Sequence, residues 1–285
     1  MSWFEKYLRV YEKEYDKSAF REIVSVVCSN LKKLQSDSPL VTISVIAYNE
    51  ERHLLACLWA LSEMQTNYPV EIIGVDNNST DKTAEVFRDS GIPFYTESQH
   101  SCGHARLCGL RHARGKYHVN IDADTLYPST YINTVIDVLE RSPMVVGVSA
   151  NWSYIPDEYH GSAGIRLYEM LRNVYLRFQA VRRPELSVRG MVFSYRTEEA
   201  LRVGIRTHII RGEDGALALG LKEYGKIAFI YGRKARAVTG YGTVGKGALW
   251  HRLVVRLKQI VSHPMLFFTS SRVYEDRDYN LIKRK

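Results

Sequence analysis

Cysteine is scarce in this chain of 285 residues, and no long apolar run occurs in it. Its four cysteines (Cys28, Cys57, Cys102 and Cys108) show neither a CxxC pair nor zinc-ligand spacing, which argues against a disulfide framework and a structural zinc. No apolar stretch approaches the roughly 18 residues of a membrane-spanning helix. The first 22 residues are too rich in charge for the apolar core of a signal peptide. We therefore expect a cytoplasmic protein, either soluble or bound peripherally to a membrane.

Acidic residues are absent from one long stretch near the C-terminus. Between Tyr224 and Tyr274 there is no Asp or Glu, although nine Lys and Arg occur there. Residues 224–285 hold 13 basic and 3 acidic side chains, a charge of +10, whereas the first 223 residues carry −2. This asymmetry indicates a polyanionic partner, which could be a phosphate-bearing ligand, an anionic membrane or nucleic acid. A solvated basic face without a partner is the alternative.

The rest of the composition is that of a globular protein, 45% hydrophobic and 25% charged, which excludes a disordered or collagen-like chain. Apolar spacing and β-branched runs predict seven helices and six strands. The helices are expected over 1–36, 50–64, 82–89, 103–114, 131–140, 163–181 and 211–224, and the strands over 41–47, 70–75, 92–95, 117–121, 144–150 and 188–194. Strands that alternate with helices imply a parallel sheet, so the sequence predicts an α/β fold.

Three of these strands end in polar residues. Tyr48–Glu50 follows the first strand, Asp76–Ser79 follows the second, and Asp122–Asp124 follows the strand that begins at residue 117. In open parallel sheets the ligand site lies beyond the carboxyl ends of the strands. We therefore expect the three groups to share one site, while Ser79 or Thr80 also suits the N-cap of the next helix.

Carboxylates dominate these strand ends. Asp122 and Asp124, one residue apart on a turning backbone, can hold one hard divalent cation and leave room for a diphosphate; a turn that satisfies its own amides is the alternative. Asp76 can accept a hydrogen bond from a nucleotide base or a ribose hydroxyl. Glu50 can line the same pocket, and helix capping is the alternative for both of them.

A second acidic pair begins the predicted helix over 211–224. Glu213 and Asp214 stand where the helix dipole favours negative charge, which explains them without catalysis. However, Gly212 and Gly215 on either side would let a substrate approach the backbone, and transfer to an alcohol requires a general base. Arg106 could reach a base carbonyl or a phosphate.

Two segments of the basic stretch have features of their own. Residues 240–247 are rich in glycine but lack P-loop spacing, so they could form a basic flap over a diphosphate or an ordinary loop. Residues 249–261 combine helical apolar spacing with basic residues opposite. Such a helix suits a membrane surface and packing on the domain equally well.

Taken in their order along the chain, five segments resemble the motifs of glycosyltransferase family 2, whose members are inverting enzymes of the GT-A fold. The resemblance rests on ISVIAYNEE, EIIGVDNNSTDKT, GxARxxGLxxAxGKY, NIDADTLYP and RGEDGALALGLKEYG. It implies the Rossmann-like mixed sheet of nucleotide-diphospho-sugar transferases, flanked by helices, over residues 40–245. A helical arm over 1–39 would precede this domain, and a basic amphipathic extension over 246–285 would follow it.

The resemblance also implies roles for individual residues. The donor would be bound by Ala47, Tyr48, Glu50, Asp76, Arg106 and Asp122. Asp124, together with Asp122, would bind Mn²⁺ or Mg²⁺. Asp214 would be the base that deprotonates the acceptor hydroxyl, and Glu213 would orient it. Asn77 departs from the paired aspartates of many members, and the absence of a QxxRW motif favours transfer of a single sugar over polymer synthesis.

The function that follows is metal-dependent, inverting transfer of one sugar from a UDP- or GDP-sugar. The acceptor would be a glycan or a lipid-linked precursor of a cell-envelope polysaccharide, met at the inner face of the membrane, with no part for nucleic acid. A nucleotidyltransferase acting on a sugar phosphate is one alternative, although the first strand lacks the glycine- and lysine-rich loop that such enzymes carry. A non-catalytic nucleic-acid-binding protein is another, but it leaves the polar strand ends unexplained.

Overall fold

The computed structural model describes residues 2–156, 162–209 and 212–241, together with positions 254, 255 and 258. The strands in these ranges are β1 Val41–Ala47, β2 Val70–Asp76, β3 Phe94–Thr96, β4 Tyr117–Asp122, β5 Thr125–Leu126, β6 Val145–Ala150, β7 Trp152–Tyr154, β8 Phe193–Arg196, β9 Lys226–Ile230 and β10 Ala237–Thr239. The α-helices are α1 Arg21–Leu34, α2 Leu54–Ser62, α3 Thr83–Ser90, α4 Cys102–Arg111, α5 Tyr131–Arg141, α6 Ser162–Arg182, α7 Pro184–Ser187, α8 Thr197–Val203 and α9 Glu213–Leu221.

Within the described residues, seven strands form the main sheet, in the order β3-β2-β1-β4-β8-β6-β9. The first four are parallel, β8 runs antiparallel to both of its neighbours, and β6 and β9 are again parallel. A second sheet has the order β5-β10-β7. The predicted mixed α/β architecture is therefore present, with its parallel half at the strands that carry the polar ends.

Helices cover both faces of the parallel half, which explains the continuous β-branched character of β1. Ile43 and Val45 belong to the larger apolar core, together with side chains of α1 and α2. On the other face Ser44 lies so close to Gly109 of α4 that any Cβ at position 109 would overlap its hydroxyl. Strands buried on both faces lack polar alternation, and only the residues beyond their ends can be polar and accessible.

The N-terminal region is divided where the sequence predicted one helix over 1–36. A 3₁₀ helix covers Glu5–Arg9 and α1 begins at Arg21, so the residues between them are not helical. Glu12 has a positive φ of 61°, which interrupts the helical path, while Tyr7 and Tyr15 are buried in the main core. Burial of these aromatic rings outweighs the local periodicity. The division into parts at 1–39, 40–245 and 246–285 stays a prediction.

Other differences fall at short elements. The predicted strand over 188–194 is a 3₁₀ turn, Gly190–Val192, followed by β8. The sequence did not predict β5, β7, β9, β10, α7 or α8, most of which are too short to show a period. Ser79 and Thr80 do not cap α3, because Asp81 Oδ1 accepts the Thr83 N–H at 2.9 Å instead.

The basic C-terminal stretch lies largely outside the described residues. The glycine-rich segment over 240–247 is described only at its first two positions, and the amphipathic segment over 249–261 only at positions 254, 255 and 258. Within the described ranges, no helix is both long enough and apolar enough to cross a bilayer.

Candidate active site

The polar ends of β1, β2 and β4 meet at one edge of the sheet. Ala47 pairs with Asp76 across β1 and β2, and Ile46 pairs with Asp122 across β1 and β4. Neighbouring strands lie about 4.8 Å apart, so Asp76 and Asp122 lie on either side of the end of β1. The polar strand ends therefore lie at one edge of the sheet, and their use as one ligand site stays a prediction.

Arg106 of α4 lies at the centre of this region and connects it to α9. Its side chain is only 4% exposed, and Nη2 donates to Asp122 Oδ1 at 3.0 Å. Its Nε lies 3.1 Å from Asp214 Oδ1 and 3.7 Å from Glu213 Oε1. Residues far apart in the sequence are thus joined by one buried guanidinium. Contact of Arg106 with a nucleotide stays a prediction, whereas its ion pairs with these protein carboxylates are present.

The first residues of α9 are held in a buried, negatively charged position. Gly212 precedes them with a φ of +104°, a conformation that favours glycine. Burial raises the pKa of Glu213 to about 7, and the nearby charge of Asp214 adds to this, while Arg106 opposes it. Burial also raises the pKa of Asp214, although Arg106 again offsets part of the effect. A carboxyl group with a raised pKa suits a general base.

Gly190 is a site residue that the sequence analysis missed. Its backbone lies close enough to the Asp214 carboxylate to lower the pKa of that group, and a Cβ at position 190 would overlap both Asp214 Oδ2 and Arg106 Nη2. Only a glycine lets the backbone come so close. A lone glycine within a strand-like run is the signal that could have found it, since such a residue often marks close approach of the backbone.

Asp124 lies in a second group of carboxylates beyond β4. Burial raises its pKa to about 7, and the charges of Asp122 and Glu50 raise it further, whereas a hydrogen bond from Thr125 lowers it. Tyr11 of the N-terminal segment donates to the Asp124 carbonyl oxygen at 2.8 Å. This part of the site therefore holds more negative charge than the surrounding groups neutralise.

Glu50 faces His53 in the same region. Its Oε2 lies 2.6 Å from His53 Nδ1. Burial lowers the pKa of His53, but the hydrogen bond and the charge of Glu50 outweigh this and raise it overall. The Glu50 backbone N–H donates to Thr83 Oγ1 at 2.8 Å, so the residue also ties the end of β1 to α3.

The donor set suits a hard divalent cation. No group of three or more His, Cys, Asp or Glu side chains in the described ranges is arranged to hold a metal ion. Mg²⁺ and similar ions commonly take one or two protein carboxylates and complete their shell with phosphate oxygens and water. Asp122 and Asp124 supply such oxygens. Burial and, after it, the charges of Asp122 and Glu50 raise the pKa of Asp124, and a bound cation would favour its ionised form.

The remaining predicted donor residues differ in their exposure. Tyr48 is 43% exposed, and the centroid of its ring lies 3.9 Å from that of His100. Asp76 is buried, and its Oδ1 accepts the Ser79 N–H at 3.2 Å. The Ala47 carbonyl oxygen accepts the Asn77 N–H at 2.9 Å. Tyr48 thus offers an accessible ring, whereas Asp76 and Ala47 shape the turn beneath it. Their roles in donor binding stay predictions.

Asn77, the departure from paired aspartates, holds the loop between β3 and α4. Its Nδ2 donates to the carbonyl oxygens of Glu97 and Gln99 at 3.1 and 2.8 Å. Its Oδ1 accepts the Ser101 N–H at 3.0 Å. A carboxylate has no N–H to donate, so an aspartate could make only the last of these three hydrogen bonds.

Replacing Asn77 by Asp should therefore lower the free energy of unfolding by about 1–3 kcal/mol, because two partly buried carbonyl oxygens lose their donor and face a negative charge. Chemical denaturation would measure this loss. Asn133→Asp is the matched control, since Asn133 accepts a hydrogen bond from Asn67 through Oδ1 and an aspartate can do the same. Equal losses in the two variants would contradict this account of Asn77.

The raised pKa of Glu213 makes stability depend on pH. The group ionises at about 7 in the folded protein, against 4.5 ordinarily, so the free energy of unfolding should fall as pH rises between these values. Glu213→Gln removes this ionisation and should gain up to about 3 kcal/mol over the wild type at pH values above 7. Thermal unfolding across this range is the measurement, with the exposed Glu198→Gln as control. An unchanged slope in Glu213→Gln would be inconsistent with the burial argument.

Residues 42–202, more than half of the chain, match the family described as glycosyl transferase family 2. Over 131 residues the chain is 26% identical to the glycosyltransferase GlyG of Streptococcus pneumoniae, a match that covers 44% of this chain and 42% of that protein. Over 121 residues it is 31% identical to the prophage-derived glycosyltransferase SunS of Bacillus subtilis, covering 41% and 26% of the two chains. The matched part thus spans less than half the length of either relative.

Solved structures share the fold. The mannosyltransferase PcManGT of Pyrobaculum calidifontis, solved with GDP-Man and Mn²⁺, has a TM-score of 0.57 at 21% identity, covering 90% of this chain and 74% of that one. Glucosyl-3-phosphoglycerate synthase of Mycobacterium tuberculosis, solved with Mn²⁺, UDP-glucose and phosphoglyceric acid, has a TM-score of 0.51 at 20% identity, covering 72% and 73%. These likenesses confirm the predicted GT-A fold. Together with the match over residues 42–202, the strand-end motifs establish that the chain belongs to glycosyl transferase family 2.

Proposed function

We propose that this chain transfers one sugar, with inversion, from a nucleotide-diphospho-sugar to an acceptor hydroxyl. The observation that carries the proposal is the position of Arg106 between Asp122, at the end of β4, and Asp214, at the start of α9. Through Arg106, the carboxylate that would serve the donor and its cation lies near the carboxylate that would serve the acceptor. The two relatives with bound GDP-Man and UDP-glucose support a nucleotide-sugar as the donor.

Inversion in one step needs a base on the side of the sugar opposite the departing diphosphate. Asp214 is the group for this task, because its carboxylate accepts a proton readily when its pKa is raised. The Arg106 guanidinium lies beside Oδ1 of Asp214 and the backbone of Gly190 lies beside Oδ2, so these two groups would confine the carboxylate before the acceptor arrives. Glu213 stands beside it and, in its ionised form, would help to keep the Asp214 pKa high.

On the donor side, Asp124 with Asp122 would hold Mn²⁺ or Mg²⁺, which would neutralise charge on the departing diphosphate. Tyr48 would stack on the nucleotide base, since its ring is exposed beside His100. Asp76 would accept a hydrogen bond from the base or the ribose. The acceptor would be a glycan or a lipid-linked polysaccharide precursor at the inner face of a membrane, for which the excess basic charge of residues 224–285 is the support.

A thermal-shift panel of UDP- and GDP-sugars, each with and without Mn²⁺, tests donor binding. A bound donor raises the unfolding temperature by mass action, and we expect one nucleotide class to do so more strongly with Mn²⁺. Release of nucleoside diphosphate in the presence of an acceptor then tests the transfer. Release of pyrophosphate from a nucleoside triphosphate and a sugar phosphate would instead identify a nucleotidyltransferase, and the proposal would be wrong.

A further inference from the structure

Helix α6 turns a wide apolar face towards solvent, whereas the face that it buries mixes polar side chains with apolar ones. Six large apolar side chains, here called the α6 stripe, are exposed along one face: Leu167, Met170, Leu171, Val174, Phe178 and Val181. Phe178 and Val181 are 70% and 76% exposed. The stripe accounts for six of the fourteen large apolar side chains that are exposed in the described part of the chain, so it is a concentrated patch rather than scattered residues.

Specific hydrogen bonds and ring contacts set this orientation. Glu169, the only acidic residue of α6, accepts the Tyr154 N–H at 2.7 Å and the Ser153 hydroxyl at 3.0 Å. The guanidinium of Arg172 lies 4.1 Å from the centroid of the Trp152 ring. Rotating α6 to bury the stripe would break these contacts and leave the Tyr154 N–H and the Ser153 hydroxyl without their acceptor. The contacts of the buried face therefore keep the stripe turned outward.

Arginines border the stripe. Arg166, Arg177 and Arg182 are exposed on α6, and at 100° per residue they lie at the edges of an apolar arc about 100° wide. Arg177 also stacks on Tyr231, with its guanidinium 4.3 Å from the ring centroid. Because Glu169 is buried, the exposed surface of this helix carries positive charge only. The exposed face of α6 is therefore complementary to a surface that has an apolar interior and negative charge at its boundary.

We propose that the α6 stripe docks on an anionic lipid surface, with its apolar side chains at the boundary between headgroups and acyl chains. Interfacial helices have this combination of an apolar face and flanking Lys and Arg, and long basic side chains can reach headgroups while their stems cover apolar area. The stripe runs from Leu167 to Val181 and so gives a contact about 22 Å long at 1.5 Å per residue.

Charge argues against two other occupants. A second copy of the chain would place the arginines of one stripe near those of the other. The amphipathic segment over 249–261 carries Arg252, Arg256 and Lys258 and no acidic residue, so it would bring like charges to the same rim. A lipid surface that bears phosphate or carboxylate groups avoids this repulsion.

The position of α6 also connects the surface to the proposed base. Helix α7 follows α6 directly, and Glu185 on it pairs with Lys222, just beyond α9, at 3.1 Å. Gly190, which contacts Asp214, comes only eight residues after the end of α6. A lipid-linked acceptor in the bound membrane would thus lie near the acceptor side of the site. This last link rests on the proposed function, whereas docking on lipid does not.

Cosedimentation of the full chain with vesicles tests the docking. Vesicles of phosphatidylglycerol and phosphatidylcholine in equal parts should bind the wild type, and phosphatidylcholine alone should bind it weakly. The combined variant Leu167→Ser, Phe178→Ser and Val181→Ser should weaken binding by at least about tenfold. The combined control Met144→Ser and Leu201→Ser removes exposed apolar side chains elsewhere and should bind as the wild type does.

The charge of the rim provides a second variant. Arg166→Gln combined with Arg182→Gln should weaken binding to anionic vesicles by about thirtyfold, at roughly 1 kcal/mol for each charge, and raised salt should also weaken binding of the wild type. Wild type that stays in the supernatant, or a stripe variant that binds as well as the wild type, would overturn the proposal. The proposal would also be overturned if the only effect of the stripe variant were to convert a dimer to a monomer, because the occupant of the stripe would then be a second copy of the chain.

Donor binding separates this proposal from the proposed function. The stripe variant should keep the wild-type thermal shift with nucleotide-sugar and its wild-type circular dichroism, which shows that it is folded. Wild type that binds vesicles but no nucleotide-sugar would remove the proposed function and leave the docking intact. Wild type that binds nucleotide-sugar but not vesicles would remove the docking proposal and leave the proposed function intact.

Discussion

Replacing Asp214 by Asn should lower turnover by about 10²–10⁴-fold, or roughly 3–5 kcal/mol of transition-state stabilisation. Asparagine keeps the shape of the side chain but cannot accept the acceptor proton. Donor affinity should change little, because the donor is assigned to the ends of β1, β2 and β4. Release of nucleoside diphosphate at saturating donor and acceptor measures the first effect, and the thermal shift with donor measures the second.

The raised pKa of Asp214 adds a pH signature to this result. The base must be ionised to act, so activity should fall with decreasing pH at a higher pH than an ordinary aspartate would give. The residual activity of Asp214→Asn should lack this fall. Glu198→Gln, which removes an exposed carboxylate from α8, is the matched control and should leave the profile unchanged. Near-normal turnover of Asp214→Asn would refute the assignment of the base.

Replacing Arg106 by Gln should lower the free energy of unfolding by about 3–5 kcal/mol at pH values above 7, because it leaves buried carboxylates without their cation. The loss should shrink as pH falls, since Glu213 takes up a proton at about 7 and Asp214 also has a raised pKa. Chemical denaturation at several pH values measures both effects.

Arg202→Gln is the control for this experiment. Arg202 also pairs with a carboxylate, that of Glu198, but both side chains are more than half exposed. Such surface pairs contribute about 0–1 kcal/mol, so this variant should lose little stability at any pH. Losses of similar size in the two arginine variants would show that the buried position of Arg106 carries no special stabilisation.

Much of the parallel half of the fold was predictable from local pattern. The β-branched runs of β1, β2 and β4 mark strands covered on both faces, and the polar residues after them mark the edge where a ligand can reach the chain. The register then brings Ala47, Asp76 and Asp122 to one edge, as expected. The order of the motifs along the chain was enough to identify the family, because each motif falls at a strand end or a helix start.

Short elements and irregular segments were not predictable in this way. Strands such as β5 and β10 have two or three residues, too few to show a period. The N-terminal segment has helical spacing, yet Tyr11 leaves the helical path and donates to Asp124 at the site. Its conformation is set by where the aromatic rings are buried, and that depends on parts of the chain far away in sequence.

The amino-acid pattern was enough for the class of fold and the family, and it offered the candidate carboxylates at strand ends and a helix start, since those features depend on local spacing. The pattern did not predict that Arg106 pairs with Asp122 and Asp214, that the backbone of Gly190 lies close to Asp214, or which side of α6 faces solvent. The periodicity of α6 identifies an apolar face, and such a face is ordinarily buried. Long-range partners of Glu169 and Arg172 turn it outward, because satisfying buried charge and hydrogen bonds outweighs covering the apolar stripe.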